Sequence, residues 1–342
     1  VFITGAAGFI GGYVAEEFVS RGWNVTALVH RNRSLKLDRL ERAGNLATVS
    51  GDATDYESLR MAFRSGLKEC QAIVHCAGRA SDVGQLREFR RANFDSVKNM
   101  TKLLEDEGID RLVFISTTDV YGLRDFNGEA EDDLPLKAYP SNPYPEFKIL
   151  AEHYIRNQLA PRRYSILRPA QVWGEGDTTL TRRIVDFLKW SPCIVHFGRW
   201  RGDNRWPLAH TRNVAAAACI AATSGEAAGK AINVLDDERT SIDEFYRILA
   251  EIYLPGKELR TVTLPFSAGY ILGSCVSGIS NILNLNRPFM DPSLYALYSV
   301  SRNLDFSNKR MKNLFMNAGC SLYDRASGVR ELESAMEGRR EQ

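Results

Sequence analysis

The chain has 342 residues, 44% hydrophobic and 25% charged, with a formal net charge of +2. That balance excludes an extended disordered protein, which needs fewer apolar residues and more net charge. With no basic stripe, it also argues against a nucleic-acid partner, and the length suits one large domain or two coupled ones.

The first two-thirds of the chain alternates short apolar runs with helical patterns. Strands are predicted at 1–4, 25–29, 47–49, 72–75, 112–116 and 165–167, and helices at 9–21, 34–42, 56–64, 85–107 and 145–158. This alternation predicts an α/β fold: a doubly wound parallel sheet of Rossmann type with right-handed crossovers. After Pro169 the pattern changes. Trp173, Trp190, Trp200 and Trp206 fall among glycines and charged residues, and an alanine-rich helix at 213–223 leads to a strand at 231–235. That helix and strand read as a return to the sheet. The expected organisation is a sheet domain, 1–170 plus 211–237, and a smaller, mostly helical region, 171–210 plus 238–342.

Other classes leave weak traces. The stretch 264–285 is long enough to span a bilayer, but it contains Pro265, Asn281, Asn284 and several Gly and Ser residues. It reads as a buried or cleft-lining helix, with peripheral membrane contact as the alternative. No signal-peptide pattern is visible. The six cysteines form no C-x-x-C pair and have few histidines nearby, so reduced thiols and a cytoplasmic location are expected, without a metal site.

The segment Thr4-Gly5-Ala6-Ala7-Gly8-Phe9-Ile10-Gly11 follows the first strand and opens the first helix. A pyrophosphate must rest against backbone N–H groups at a helix N-terminus, where partial positive charge collects. A Cβ at Gly5 or Gly8 would obstruct the turn or the close approach, and Gly11 lets the helix pack on the sheet. A glycine motif alone is weak; the strand before and helix after it supply the confirming context. The segment therefore predicts a dinucleotide cofactor.

An Asp or Glu about 20 residues past the glycines holds the ribose hydroxyls in NAD-binding folds. Here the second strand ends Val29-His30-Arg31-Asn32-Arg33, with no acid. Arg31 and Arg33 suit a 2′-phosphate, which favours NADP over NAD; an exposed basic loop is the alternative. Downstream, Asp52 and Ala53 end the third strand, where a carboxylate can accept a bond from the adenine amino group. His75-Cys76-Ala77-Gly78 ends the fourth strand, where small residues such as Ala77 let the cofactor backbone pass. His75 itself reads as a satisfied core histidine.

Tyr144-Pro145-Glu146-Phe147-Lys148 sets Tyr and Lys four residues apart at a helix start, on one face. A phenol titrates near 10, and a neighbouring ammonium lowers that value toward a useful range. Tyr121, Tyr139, Tyr154 and Tyr164 have no Lys at this spacing. The fifth strand ends Ser116-Thr117-Thr118, and one of these hydroxyls is expected to orient a substrate oxygen near Tyr144.

With TGAAGFIG, GDATD, HCAG, STTDVYG, YPEFK and LRPAQVWGEGD in order, the chain resembles the extended short-chain dehydrogenase/reductase superfamily (the NAD-dependent epimerase/dehydratase family). The resemblance implies that Tyr144 is the acid/base, that Lys148 binds the nicotinamide ribose and tunes Tyr144, and that Thr117 is the catalytic hydroxyl, ahead of Ser116 and Thr118. It further implies cofactor roles for Gly5, Gly8, Phe9 and Ile10, places Pro169 beside the carboxamide, and gives Asn93 a structural or relay role. Gln171 stands where sugar epimerases and dehydratases usually carry Asn. That substitution, and the segments at 287–292 and 305–310, look more like the 3β-hydroxysteroid dehydrogenase and dihydroflavonol reductase branches. The steroid branch usually has an acid where this chain has Arg31, which favours NADPH-linked ketone reduction. The first expectation is thus an oxidoreductase acting on a small molecule, an apolar or sterol-like alcohol or ketone, and assembled as a homodimer. The second is a nucleotide-sugar epimerase or dehydratase with tightly bound NAD. The third is a redox-sensing binding module, which the retained Tyr/Lys pair opposes.

Overall fold

A computed structural model describes residues 1–31, 33–66, 69–80, 84–138, 142–282 and 294–340. The segment 287–292 and Asn32 lie outside the described residues.

The chain begins with β1 (Phe2–Thr4), α1 (Phe9–Ser20), β2 (Val25–Val29), α2 (Leu35–Ala43), β3 (Leu46–Ser50), α3 (Tyr56–Gly66) and β4 (Ala72–His75). It continues through α4 (Leu86–Arg90), α5 (Ser96–Asp106), β5 (Arg111–Ile115), β6 (Phe126–Glu129), α6 (Pro143–Gln158) and β7 (Tyr164–Pro169). Then follow β8 (Gln171–Trp173), α7 (Leu180–Trp190), β9 (Cys193–Phe197), β10 (Leu208–His210), α8 (Thr211–Thr223) and β11 (Ala231–Val234). The remainder holds α9 (Ile242–Tyr253), β12 (Arg260–Leu264), α10 (Phe266–Ile282), α11 (Leu294–Ser301), β13 (Leu304–Phe306), α12 (Lys309–Asn317) and α13 (Arg325–Arg340).

A seven-stranded parallel sheet runs β11-β7-β5-β4-β1-β2-β3. Its inner strands are mostly apolar because both faces are covered, while the edge strand β3 is partly exposed. Alternate side chains enter opposite layers: Phe2, Ile73, Leu112 and Phe114 join one cluster with α3, α5 and α6. Ile3, Val74, Val113 and Ile115 join the other with α1 and α8. The chain leaves β1 toward β2 on one side, and β4 resumes on the other. This reversal opens a crevice at the carboxyl ends of β1 and β4, where ligands bind in such sheets.

Two expectations change. The helix expected over 85–107 is broken: a π-helical turn, Arg91–Asp95, separates α4 from α5. The region after Ala170 is not simply helical. It adds two-stranded parallel pairs, β8 with β10 and β9 with β12, and β13 returns to pair with β6. These strands are short, and their partners are distant in sequence, so no local pattern announced them.

The apolar stretch from Leu264 is also less buried than expected. Gly269 of α10 fits against Phe197 and Leu297, but Tyr270, Ile271 and Leu272 are exposed at 44%, 63% and 46%. The described part of the helix is largely apolar, and only part of its surface is covered. Among the described residues, no helix is long and apolar enough to cross a membrane.

Candidate active site

The turn from β1 to α1 supplies the cradle. Gly5 has a φ of +69°, and a Cβ there would lie 2.6 Å from the backbone N of Ala77. The carboxyl ends of β1 and β4 therefore approach as closely as backbone allows. A Cβ at Gly11 would come within 2.1 Å of the Gly5 carbonyl oxygen, so only glycine seats the helix there. Gly8 is the N-cap of α1. It contributes no side-chain cap, and the first turn carries no acid. The leading N–H groups thus face the crevice without a carboxylate of their own, as an anionic pyrophosphate requires. Phe9 and Ile10 are half-buried beside them.

The residues expected at the adenine end lie after β2 and β3. Arg31 is exposed at the tip of β2. Arg33, paired with Arg31 in the sequence reading, is committed elsewhere: its guanidinium bonds Asp38 at 2.9 Å, Glu41, and Thr48 at 2.8 Å. The reason is local. Ser34 caps α2, and the first turns of that helix present both carboxylates to Arg33. Asp52 is half-occupied: Oδ1 accepts from the Thr54 N–H and hydroxyl at 2.8 and 2.9 Å, while Oδ2 lies 3.6 Å from His30 Nε2. Those hydrogen bonds outweigh partial burial and hold its carboxyl below the ordinary range. Ala53 is buried, and its carbonyl accepts from Asn99.

The reacting end gathers on α6. Asn142 caps this helix by accepting from the Tyr144 N–H at 2.9 Å, and Pro143 occupies the first turn, where its missing N–H costs nothing. Tyr144 and Lys148 consequently share one face. Lys148 is buried, and its ammonium donates to the Ile115 carbonyl at 2.7 Å, 5.8 Å from the Tyr144 ring centre. Burial brings its pKa down to about 8, partly opposed by the neighbouring Cys76 and Glu152. The Tyr144 phenol lies beside the Thr117 hydroxyl. Of the three adjacent hydroxyls only Thr117 meets it; Ser116 turns instead to Glu152 at 2.6 Å, and Thr118 is buried.

The expected tuning of the phenol is not what the chain alone provides. Burial, and then the negative charge of Asp119, raise its pKa above the ordinary value, and the nearby Thr117 hydroxyl only partly offsets them. Burial also raises the Asp119 carboxyl, which lies beside Tyr295 and Thr117. A buried site disfavours every charged form, so a lowered phenol requires further positive charge.

Asn93 sits at the centre of the π turn. Its Oδ1 accepts from the Arg79 N–H at 3.0 Å and its Nδ2 donates to the Arg79 carbonyl at 3.1 Å. A Cβ on Gly78 would lie 2.8 Å from that Oδ1 and 3.4 Å from Lys148 Nζ. The extra residue of the π turn thus aims Asn93 at the end of β4, beside Lys148. His75 is fully buried between Thr4 Oγ1 at 2.7 Å and Ser96 Oγ at 3.1 Å. Pro169 ends β7, opposite Val234 of β11. Sequence reasoning missed Asp119, Glu152 and Tyr295. Asp119 lay inside a quoted motif; Tyr295 belongs to α11 and had no local mark.

A family model described as the NAD dependent epimerase/dehydratase family matches residues 1–234. The chain is similar to a Stigmatella aurantiaca protein, 4-hydroxy-2-methyl-3-oxo-4-farnesyl-3,4-dihydroquinoline-1-oxide ketoreductase, with 26% identity over 78% of this chain and 76% of that one. It is 28% identical to a 3 beta-hydroxysteroid dehydrogenase/Delta 5-->4-isomerase of Mycobacterium tuberculosis, over 73% of this chain and 68% of the relative. Among solved structures, gox2253 superposes with a TM-score of 0.75 at 19% identity, covering 99% of this chain and 98% of that one, a likeness of fold.

Proposed function

The chain belongs to the NAD-dependent epimerase/dehydratase family, enzymes of the extended short-chain dehydrogenase/reductase type that use NAD(P), and we propose that it interconverts a secondary alcohol and a ketone. The observation that carries this reading is the meeting of Thr117, Tyr144 and Lys148 at the carboxyl end of β5, on the crevice that the glycine turn opens. When bound, the nicotinamide supplies or accepts the hydride. Tyr144 donates the proton to the carbonyl oxygen in reduction and takes it back in oxidation. Thr117 orients that oxygen, and Lys148 holds the cofactor ribose and adds the positive charge that the buried phenol lacks. The glycine cradle at Gly5, Gly8, Phe9 and Ile10 receives the pyrophosphate, Asp52, Ala53 and Ala77 line its path, and Pro169 adjoins the carboxamide.

In this reading the cofactor is NADPH and the direction is ketone reduction. Support comes from the absence of an acid after β2, with Arg31 exposed at that corner. The substrate is apolar or sterol-like, supported by the relatives' ketoreductase and hydroxysteroid dehydrogenase activities and by the apolar surface of α10. Residues 1–170 plus 211–237 serve the cofactor, and 171–210 plus 238–342 the substrate. A homodimer in the cytoplasm completes the reading, on the prevalence of two-fold assemblies and the lack of a disulfide pattern. The test follows NADPH consumption across a panel of apolar ketones. Tyr144→Phe is expected to retain NADPH binding and lose turnover by about a thousandfold, within the usual range for a proton-transfer group; full turnover in that variant would sink the mechanism.

A second reading, sugar epimerisation or dehydration, is favoured by one observation: the Asp119 carboxyl stands beside Tyr144 as a second proton-handling group. Purified protein carrying NAD(H), with its melting temperature raised by a UDP-sugar and not by ketones, would select it.

A further inference from the structure

The face of α6 that carries Tyr144 and Lys148 continues one turn further to Glu152, which is fully buried. Ser116 Oγ donates to Glu152 Oε1 at 2.6 Å, and Arg168 Nε donates to the same oxygen at 3.0 Å. Arg168 Nη2 donates to the other carboxylate oxygen. Ser116 immediately precedes Thr117, and Arg168 immediately precedes Pro169. One carboxylate therefore ties the helix to the carboxyl ends of β5 and β7, at the residues adjoining two members of the site. Behind it, Arg168 Nη1 donates to the Tyr121 hydroxyl at 2.7 Å, which donates on to Asn233 at 2.7 Å. The proton transfer described above uses none of these groups.

We propose that Glu152 is a positioning residue: through Ser116 it fixes Thr117 against Tyr144, and its negative charge shields Lys148 from the buried Arg168 guanidinium. The inference rests on the function proposed above. Among the described residues, the titratable, charged and polar side chains around Lys148 are few. His75 and Cys76 face it from the end of β4, Asn93 from the π turn, and Tyr144 and Glu152 from its own helix. Asp119 lies beyond Tyr144, and Arg168 and Arg156 lie beyond Glu152. His75 stays neutral because burial holds it down at about 3, and the Cys76 thiol stays neutral because burial pushes it up to about 12. At neutral pH the carboxylate that favours the ammonium is Glu152. Removing it withdraws that attraction and leaves Arg168 as an unpaired buried cation in the same block. Both effects favour the neutral amine.

The test is NADPH fluorescence titration from about pH 6 to about pH 10, spanning the lowered lysine range, with melting temperatures alongside. The chains compared are the unaltered protein, Glu152→Gln, the double variant Glu152→Gln/Arg168→Gln, and Ser116→Ala. In Glu152→Gln the pH at which affinity halves is expected to fall by about one unit. In the double variant, which removes both charges, it returns to the original value. Ser116→Ala is expected to keep NADPH affinity and melting temperature while kcat on a ketone falls about tenfold at unchanged KM, since a misplaced orienting hydroxyl costs rate rather than binding. An unmoved midpoint in Glu152→Gln, an equal displacement in single and double variants, or unchanged kcat in Ser116→Ala overturns the inference. If Glu152→Gln does not fold, the double variant with its midpoint restored and the Ser116→Ala kcat decide. Should no ketone turn over at all, the proposed function fails, while the binding arms still judge Glu152.

Discussion

In the seven-stranded sheet, each strand is held by a backbone ladder and by side chains that enter one of two apolar layers. In the region after Ala170, individual polar side chains carry much of the connection. Asn303 accepts from the Arg205 N–H at 2.7 Å and donates to the Phe126 carbonyl at 2.6 Å, and its own N–H bonds Asp125 at 2.8 Å. Asn204 donates to the carbonyls of Val300 and Arg302. Glu331 of α13 accepts from Tyr13, Arg212 and Tyr323, all within about 3 Å. Apolar layers dominate the first region; in the second, a few polar groups add to the apolar contacts. Buried apolar contacts are interchangeable, whereas a buried polar group stripped of its partner keeps its full desolvation cost.

Acid should expose the largest difference. Burial lowers His75, in the sheet, to about 3 and His210, at the start of α8, to about 4. Both are lowered from an unfolded value near 6.5, so the unfolded chain takes up protons that the folded chain refuses. The stability they lend is complete above about pH 6.5 and is lost as pH falls toward the folded values. Chemical denaturation at a series of pH values should show a continuous decline below about pH 6.5. A flat profile between neutrality and the folded values would remove this account.

Gly5→Val should come next. It combines left-handed strain with a Cβ 2.6 Å from Ala77 N. Strain and overpacking of about 1–3 kcal/mol each give a loss of about 2–6 kcal/mol, divided between melting temperature and NADPH affinity. If both stay unchanged, the cradle is misread.

Asn303→Ala should cost about 1–3 kcal/mol, because it strips partners from the Arg205 N–H and the Phe126 carbonyl together. Arg31→Ala should weaken NADPH about tenfold, roughly 1.4 kcal/mol, and leave NADH unchanged; equal losses for both cofactors would end the 2′-phosphate argument. Smallest should be Ile73→Val, in the middle of the sheet, at about 0.5–1.5 kcal/mol. If urea melts ranked Ile73→Val above Asn303→Ala, the contrast between the two regions would fail.

The regular half of the molecule was legible because its signals are local. Short apolar runs identified the sheet strands to within a residue or two, the glycines announced the turn at Gly5, and the four-residue spacing put Tyr144 and Lys148 on one face. Arg33 shows where local reading ended: its charge was visible, but not its capture by Asp38 and Glu41 once α2 formed.

By itself, then, the sequence determined the sheet strands and the helices between them, the glycine turn and the candidate catalytic pair, because helix period, strand period and turn conformation act over a few neighbouring residues. The tertiary structure alone decided which hydroxyl meets Tyr144, that Asp119 and Tyr295 join it, and that Glu152 binds Ser116 and Arg168. It also decided the pairing of β13 with β6 and the departure of buried groups from their ordinary pKa values. Those outcomes depend on burial and on contacts between distant segments, and both exist only once the two layers have closed on the sheet.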